Sequence, residues 1–196
     1  VGIEDQRIRF PLAPVPDSAA LDTIRRRVGP DAPFAIVNAG AAWPNKRWPP
    51  ERYGALAAFL RDACGLTPIV LWGPGEEGLA AAVSAASHDA AVIAPPTSVR
   101  DLVAIARAAS LVVSGDTGPL HIANAVGTPT VSLFGPTDPE RNGPFADADV
   151  CVSRFDRCGC HYDRRCHHQP WCMGEMTIDD VCAAVRQRIA AGDRRG

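Results

Sequence analysis

Hydrophobic and polar positions follow two different periods along this chain. Short apolar runs rich in β-branched residues fall at 34–38, 68–72, 91–93, 111–114 and 130–134, each flanked by Gly, Pro, Ser or Asp, and these predict buried strands. Between them, 50–64, 76–87 and 99–109 carry apolar residues at helical spacing, and a further helix is expected from Pro119 to Val126. Strands separated by helices of this length call for right-handed crossovers, which predicts an α/β fold: a Rossmann-like parallel sheet with helices on both faces. Ahead of it, residues 1–32 read as a linker and leading helix, with one amphipathic stretch at 18–28 among Pro11, Pro14, Pro16 and Pro30. The domain proper is expected over 33–196, closing with a helix at 178–191.

Several predicted helix ends carry their own stop and start signals. Ser98 with Asp101, and Thr177 with Asp180, resemble capping boxes that use Asp in place of Glu. The unit from Ser114 to Thr137 is the richest of all. Its strand is expected to stop at Ser114; Asp116 and Thr117 are suited to capping, Gly118 to a sharp turn, Pro119 to a first helical position and Gly127 to a left-handed C-terminal cap. Such a helix start aims unpaired N–H groups and a positive dipole end beyond the carboxyl edge of the sheet, where open α/β sheets bind ligands, so a diphosphate suits the space. A tight connection with ordinary caps, and His121 merely at the surface or in the core, is the plainer reading of the same residues.

A second constellation, residues 38–53, follows the first strand and therefore shares that edge. Lys46 and Arg47 lie between Trp43 and Trp48 in a loop restricted by Gly40 and several prolines, and Lys46 is the candidate to neutralise a leaving phosphate. A solvated loop with Trp48 packed on the next helix is the alternative. Residues 73–78 fit the G-x-G-x-x-G dinucleotide fingerprint in letters. Glu76 and Glu77 would set two negative charges where a pyrophosphate sits, and no acid ends the next strand, so that reading is rejected. A carboxylate there suits a hydrogen bond from a ribose or base, or simply the start of a helix.

Composition narrows the classes. A 196-residue chain with formal net charge −2 and 46% hydrophobic residues can bury one sizeable core, and it lacks the charge of a nucleic-acid binder. Its apolar runs are too short to cross a bilayer, and the first residues show neither an initiator Met nor a signal-peptide pattern, so an upstream domain is expected. Of seven cysteines, Cys151, Cys158, Cys160, Cys166 and Cys172 crowd a loop over 151–172 together with three histidines. Cys158, Cys160, Cys166 and Cys172 are candidates for a structural four-thiolate zinc site, although paired C-x-x-C knuckles are lacking; reduced thiols or a disulfide are the other readings.

Taken together, residues 39–49, Gly73-Pro74-Gly75-Glu76 and 115–123 resemble glycosyltransferase family 9, the bacterial ADP-heptose:lipopolysaccharide heptosyltransferases. The motifs occur in the family's order, extend through Leu133-Phe134-Gly135-Pro136-Thr137 and the cysteine-bearing segment, and cover about residues 33–185. The resemblance implies the carboxyl-terminal, donor-binding half of a GT-B fold, with the acceptor domain and the family's aspartate general base outside this chain. It implies Lys46 near the diphosphate and transferred sugar, Glu76 near the nucleoside, and Asp116, Thr117, Gly118 and His121 around the diphosphate and heptose, with Gly40 also among the donor-binding residues. It further implies an ADP-sugar donor, a lipid-linked saccharide acceptor, inverting transfer without a required cofactor, and a cytoplasmic place with peripheral contact to the inner membrane left open. Another GT-B nucleotide-sugar enzyme, or a non-catalytic nucleotide-sugar or zinc-binding module, remains the alternative. This chain alone is expected to bind donor and to transfer little or nothing.

Overall fold

The computed structural model describes residues 10–144 and 146–193, so the part of the predicted linker at 1–9 lies outside the described residues. Six strands form one parallel sheet in the order β3-β2-β1-β4-β5-β6. They are β1 Phe34–Asn38, β2 Thr67–Leu71, β3 Val92–Ile93, β4 Leu111–Gly115, β5 Thr130–Phe134 and β6 Val150–Ser153. Chain order reverses between β1 and β4, which pair in parallel from Ala35 and Leu111 to Asn38 and Ser114. In open α/β sheets such a reversal splays the following loops apart and leaves a crevice at the carboxyl edge.

Side-chain alternation divides the core in two. Ala35, Val37, Val70, Leu111, Val113, Val131 and Leu133 face one layer, where they pack with α2 (Pro50–Cys64), α3 (Glu77–Ala86) and α8 (Ile178–Asp193). Phe34, Ile36, Ile69, Leu71 and Val112 face the other, with α1 (Ala19–Val28), α4 (Val99–Ala108) and α5 (Gly118–Val126). Period-2 burial on both faces is what a helix-covered parallel sheet requires, and it explains why the strands read as nearly continuous apolar runs. Short helical turns α6 (Pro139–Asn142) and α7 (Cys172–Glu175) complete the chain.

The predicted end signals at Ser98, Thr177 and Gly127 are present, and Ser18 adds a cap that was not predicted. Ser98 Oγ accepts from Asp101 N at 3.2 Å and Asp101 Oδ2 accepts from Ser98 N at 2.9 Å, closing the box at the start of α4. Thr177 and Asp180 do the same for α8, at 2.9 and 3.1 Å. Ser18 caps α1, and Gly127 ends α5 at φ 77°. Elsewhere the structure corrects the sequence. β6 occupies the start of the expected cysteine-rich loop, so Cys151 is a strand residue paired opposite Ser132. Asp149, just before β6, accepts from Thr130 N at 2.9 Å and from Arg188 Nε at 2.6 Å, which fastens that edge to the last helix. α1 also packs into the core, with Ala20 and Ile24 buried against the sheet layer.

Candidate functional site

The carboxyl ends of β1 and β4 are stitched together by side chains. Asn38, the last residue of β1, donates from Nδ2 to Ser114 Oγ and Thr117 Oγ1, both at 3.0 Å. Thr117 takes the N-cap position of α5, yet its hydroxyl bonds Ser114 and Asn38 and caps nothing. The expected capping by Asp116 and Thr117 is therefore absent, because Thr117 is drawn into the network between the strands and the Asp116 carboxylate is taken by Lys46, Thr137, Asn142 and His121. Pro119 falls one residue inside the helix, which begins at Gly118. The first turn of α5 is left without a side-chain cap and faces the crevice with its positive dipole end.

Asp116 is the hub of this edge. Its Oδ2 accepts from Lys46 Nζ at 2.6 Å, Thr137 Oγ1 at 2.8 Å and Asn142 Nδ2 at 3.3 Å, while Oδ1 lies 3.1 Å from His121 Nε2. Burial pushes the Asp116 carboxyl up, but hydrogen bonds from His121, Lys46 and Thr137, with the Lys46 charge, outweigh it and hold the group well below the usual carboxylate range. Lys46 sits on a single 3-10 turn at Pro44–Lys46, spends a second, longer contact of 3.4 Å on the Asp116 carbonyl, and places its ammonium 4.5 Å from the Trp43 ring. The pair is nearly withdrawn from water, with side-chain exposures of 14% for Lys46 and 5% for Asp116. Both partners are thus fixed before any ligand arrives.

The cleft beside this pair has a volume of about 600 Å³. Gly40, Lys46, Glu76, Asp116, Thr117 and Gly118 all line it, so the structure brings six of the seven predicted donor residues to one cleft. His121 does not line the cleft and touches it through Asp116. At the other end Glu76 occupies the N-cap position of α3, and its Oε2 accepts from Gly73 N at 3.0 Å. Glu76 Oε1 lies 3.8 Å from Arg47. A Cβ on Gly40 would come within 2.0 Å of Glu76 Oε2, so glycine is what lets the carboxylate lie across the loop. Trp72, Val99 and Leu102 add apolar surface there, and Val99 is 70% exposed. Sequence reasoning missed Asn38, Thr137 and Asn142; polar side chains at or just past strand ends were the available signal for Asn38 and Thr137, and Asn142, at the end of α6, offered none.

The cysteine segment lies behind the Lys46 loop. Trp171 Nε1 donates to Arg47 O at 3.2 Å, and Trp48 Nε1 donates to Met176 O at 3.0 Å. Cys160 and Cys166 bring their sulfurs within 3.2 Å. Burial, and then Cys158 beside it, pushes the Cys172 thiol up to about 12. Among the described residues no three His, Cys, Asp or Glu side chains are disposed to hold a metal ion. The four-thiolate zinc site expected at Cys158, Cys160, Cys166 and Cys172 therefore has no such grouping behind it among the described residues; the sulfurs of Cys160 and Cys166 lie in direct contact instead. Also among the described residues, no helix is long and apolar enough to cross a membrane.

The strand order and the polar cleft at its reversal define a Rossmann-like α/β domain of the kind found in GT-B enzymes. The chain belongs to glycosyltransferase family 9 (heptosyltransferase), whose model matches residues 5–172. It is 30% identical over 141 residues to lipopolysaccharide heptosyltransferase 1 of Pseudomonas aeruginosa, a match covering 72% of this chain and 39% of that protein. Among solved structures it resembles Escherichia coli ADP-heptose lps heptosyltransferase II, with a TM-score of 0.75 at 20% identity over 96% of this chain and 56% of that one. The Escherichia coli heptosyltransferase WaaC with ADP aligns with a TM-score of 0.66 at 22% identity over 83% of this chain and 47% of that one. The chain therefore spans about half the length of these relatives or less.

Proposed function

We propose that this chain is the donor-binding half of a heptosyltransferase, holding ADP-heptose for inverting transfer of the heptose to a lipopolysaccharide inner-core acceptor. The observation that carries this reading is the Lys46–Asp116 pair at the sheet's switch point, set beside the uncapped start of α5. In the reaction an acceptor hydroxyl attacks the anomeric carbon, the bond from that carbon to the diphosphate oxygen breaks, and the proton leaves with a base outside this chain. Negative charge grows on the departing ADP. Lys46 has two of its donors committed to Asp116 and offers the third to a diphosphate oxygen, while the N–H dipoles of α5 offer a second stabilising field. Preorganised charge of this kind contributes about 3 kcal/mol to a transition state.

Asp116 is an anion in an anion site, and its role is to aim. With Thr137, Asn142 and His121 it fixes the ammonium, so Lys46 need not reorganise as charge develops. Glu76, freed by Gly40 to lie across the loop, is placed to accept hydrogen bonds from the ribose. The acceptor, a lipid-linked saccharide, would approach from the remainder of the enzyme at the inner face of the membrane, and the transfer needs no metal. Calorimetric titration of the full-length protein with ADP and with UDP, in chelator, tests the reading. ADP binding at least about tenfold tighter is expected, a difference of roughly 1.4 kcal/mol; equal affinity or a preference for UDP would overturn it.

A further inference from the structure

The segment from Cys158 to Cys172 turns few side chains inward. Cys158, Cys160 and Cys172 are buried and Cys166 is half-buried, whereas residues 161–165 and 167–170 are exposed. All of these cysteines are free thiols. Cys160 Sγ and Cys166 Sγ, at 3.2 Å, are about 1.2 Å farther apart than a disulfide bond. A bond between them would close a short ring that contains Asp163 and Arg164. Those two residues are the ring's contacts with the catalytic loop: Asp163 O accepts from Asn45 Nδ2 at 2.8 Å, and the Arg164 guanidinium lies 5.9 Å from the Trp43 ring that Lys46 also faces.

We propose that Cys160 and Cys166 form a site of reversible two-electron oxidation by a peroxide, and that the resulting disulfide fixes Asp163 and Arg164 against the segment carrying Lys46. Cys166, the more exposed sulfur, attacks a peroxide oxygen as its thiolate; the O–O bond breaks, one water leaves and a sulfenic acid remains. Cys160 then attacks that sulfur, the S–O bond breaks and a second water leaves. Two thiol hydrogens and one hydrogen peroxide thus become a disulfide and two waters, and a dithiol reductant reverses the step. The pairing itself rests on the sulfur geometry.

The test uses the full-length protein, treated with hydrogen peroxide, alkylated and digested with trypsin without reductant. Arg164 and Arg165 lie between the two cysteines, so trypsin cuts the ring and leaves two peptides joined only through sulfur. The expected product is this joined pair lacking two hydrogens, which separates on reduction, persists in Cys158→Ser and Cys172→Ser, and vanishes in Cys160→Ser and Cys166→Ser. Hydrogen exchange of residues 43–47 in the wild-type protein should slow about two- to thirtyfold on oxidation and recover on reduction. Absence of the joined pair overturns the proposal, as do thiols that alkylate only after a chelator strips bound zinc or iron. A disulfide that leaves exchange at 43–47 unchanged overturns the coupling to Lys46. If a serine variant fails to fold, fragmentation of the joined wild-type pair decides the matter, because it places the bond at Cys160 and Cys166 or at the Cys158 and Cys172 that the same two peptides carry.

Discussion

The two ends of the cleft are built on opposite plans. At one end Asp116 receives Lys46, His121, Thr137 and Asn142 and is nearly buried, so every charge is paired before a ligand binds. At the other end Glu76 has one backbone donor and a distant Arg47, and its neighbours are open apolar surface such as Val99. The contrast separates two tasks. A site that must stabilise charge developing in a transition state gains from groups that do not move, whereas a site that only recognises a nucleoside can be sparse.

Perturbing the wired end should cost most. Asp116→Asn removes a buried charge from a fixed ammonium, and the unfolding free energy should fall by about 3 kcal/mol in denaturant titration, with turnover down at least about a hundredfold. The pH dependence follows in sign. Because the folded Asp116 value lies below the ordinary carboxylate value of about 3.9, its stabilisation is complete above that value and is lost as pH falls below it toward the folded value. Wild type should therefore lose stability below about pH 4 more steeply than Asp116→Asn does.

At the sparse end smaller effects are expected, in descending order. Gly40→Ala places a methyl 2.0 Å from Glu76 Oε2, so the carboxylate must swing away and ADP affinity should fall about tenfold while stability changes by less than about 1 kcal/mol. Glu76→Gln keeps the shape and removes the charge, which should weaken ADP about fivefold in the same titration. Ser98→Ala, at the rim, breaks the capping box of α4 and should lower stability by about 0.5 to 1 kcal/mol, with ADP affinity nearly unchanged. If Gly40→Ala instead proved as damaging as Asp116→Asn, the division between the two ends would be wrong.

Local signals carried most of the fold. The capping boxes at Ser98 and Thr177 and the Gly127 stop were readable because each depends on residues within a few positions of one another. β6 was not, since Val150–Ser153 is a four-residue edge strand pinned by Asp149 to Thr130 and Arg188, partners far away in sequence. The same distinction runs through the site. Lys46, Glu76 and Asp116 lie in sequence-local motifs, but Asn38, Thr137 and Asn142 acquire their roles only when separate loops meet at the sheet edge. Thr117 misled for that reason: its cap position was right, and its hydroxyl was already claimed by Asn38 and Ser114.

The role of the Lys46–Asp116 pair is tested most directly by the turnover of Lys46→Ala in the full-length enzyme at saturating ADP-heptose and acceptor. Loss of the leaving-group cation should lower kcat about a hundred- to a thousandfold while leaving the acceptor KM nearly unchanged. A kcat within about threefold of wild type would mean that the diphosphate leaves without this ammonium, and would contradict the mechanism.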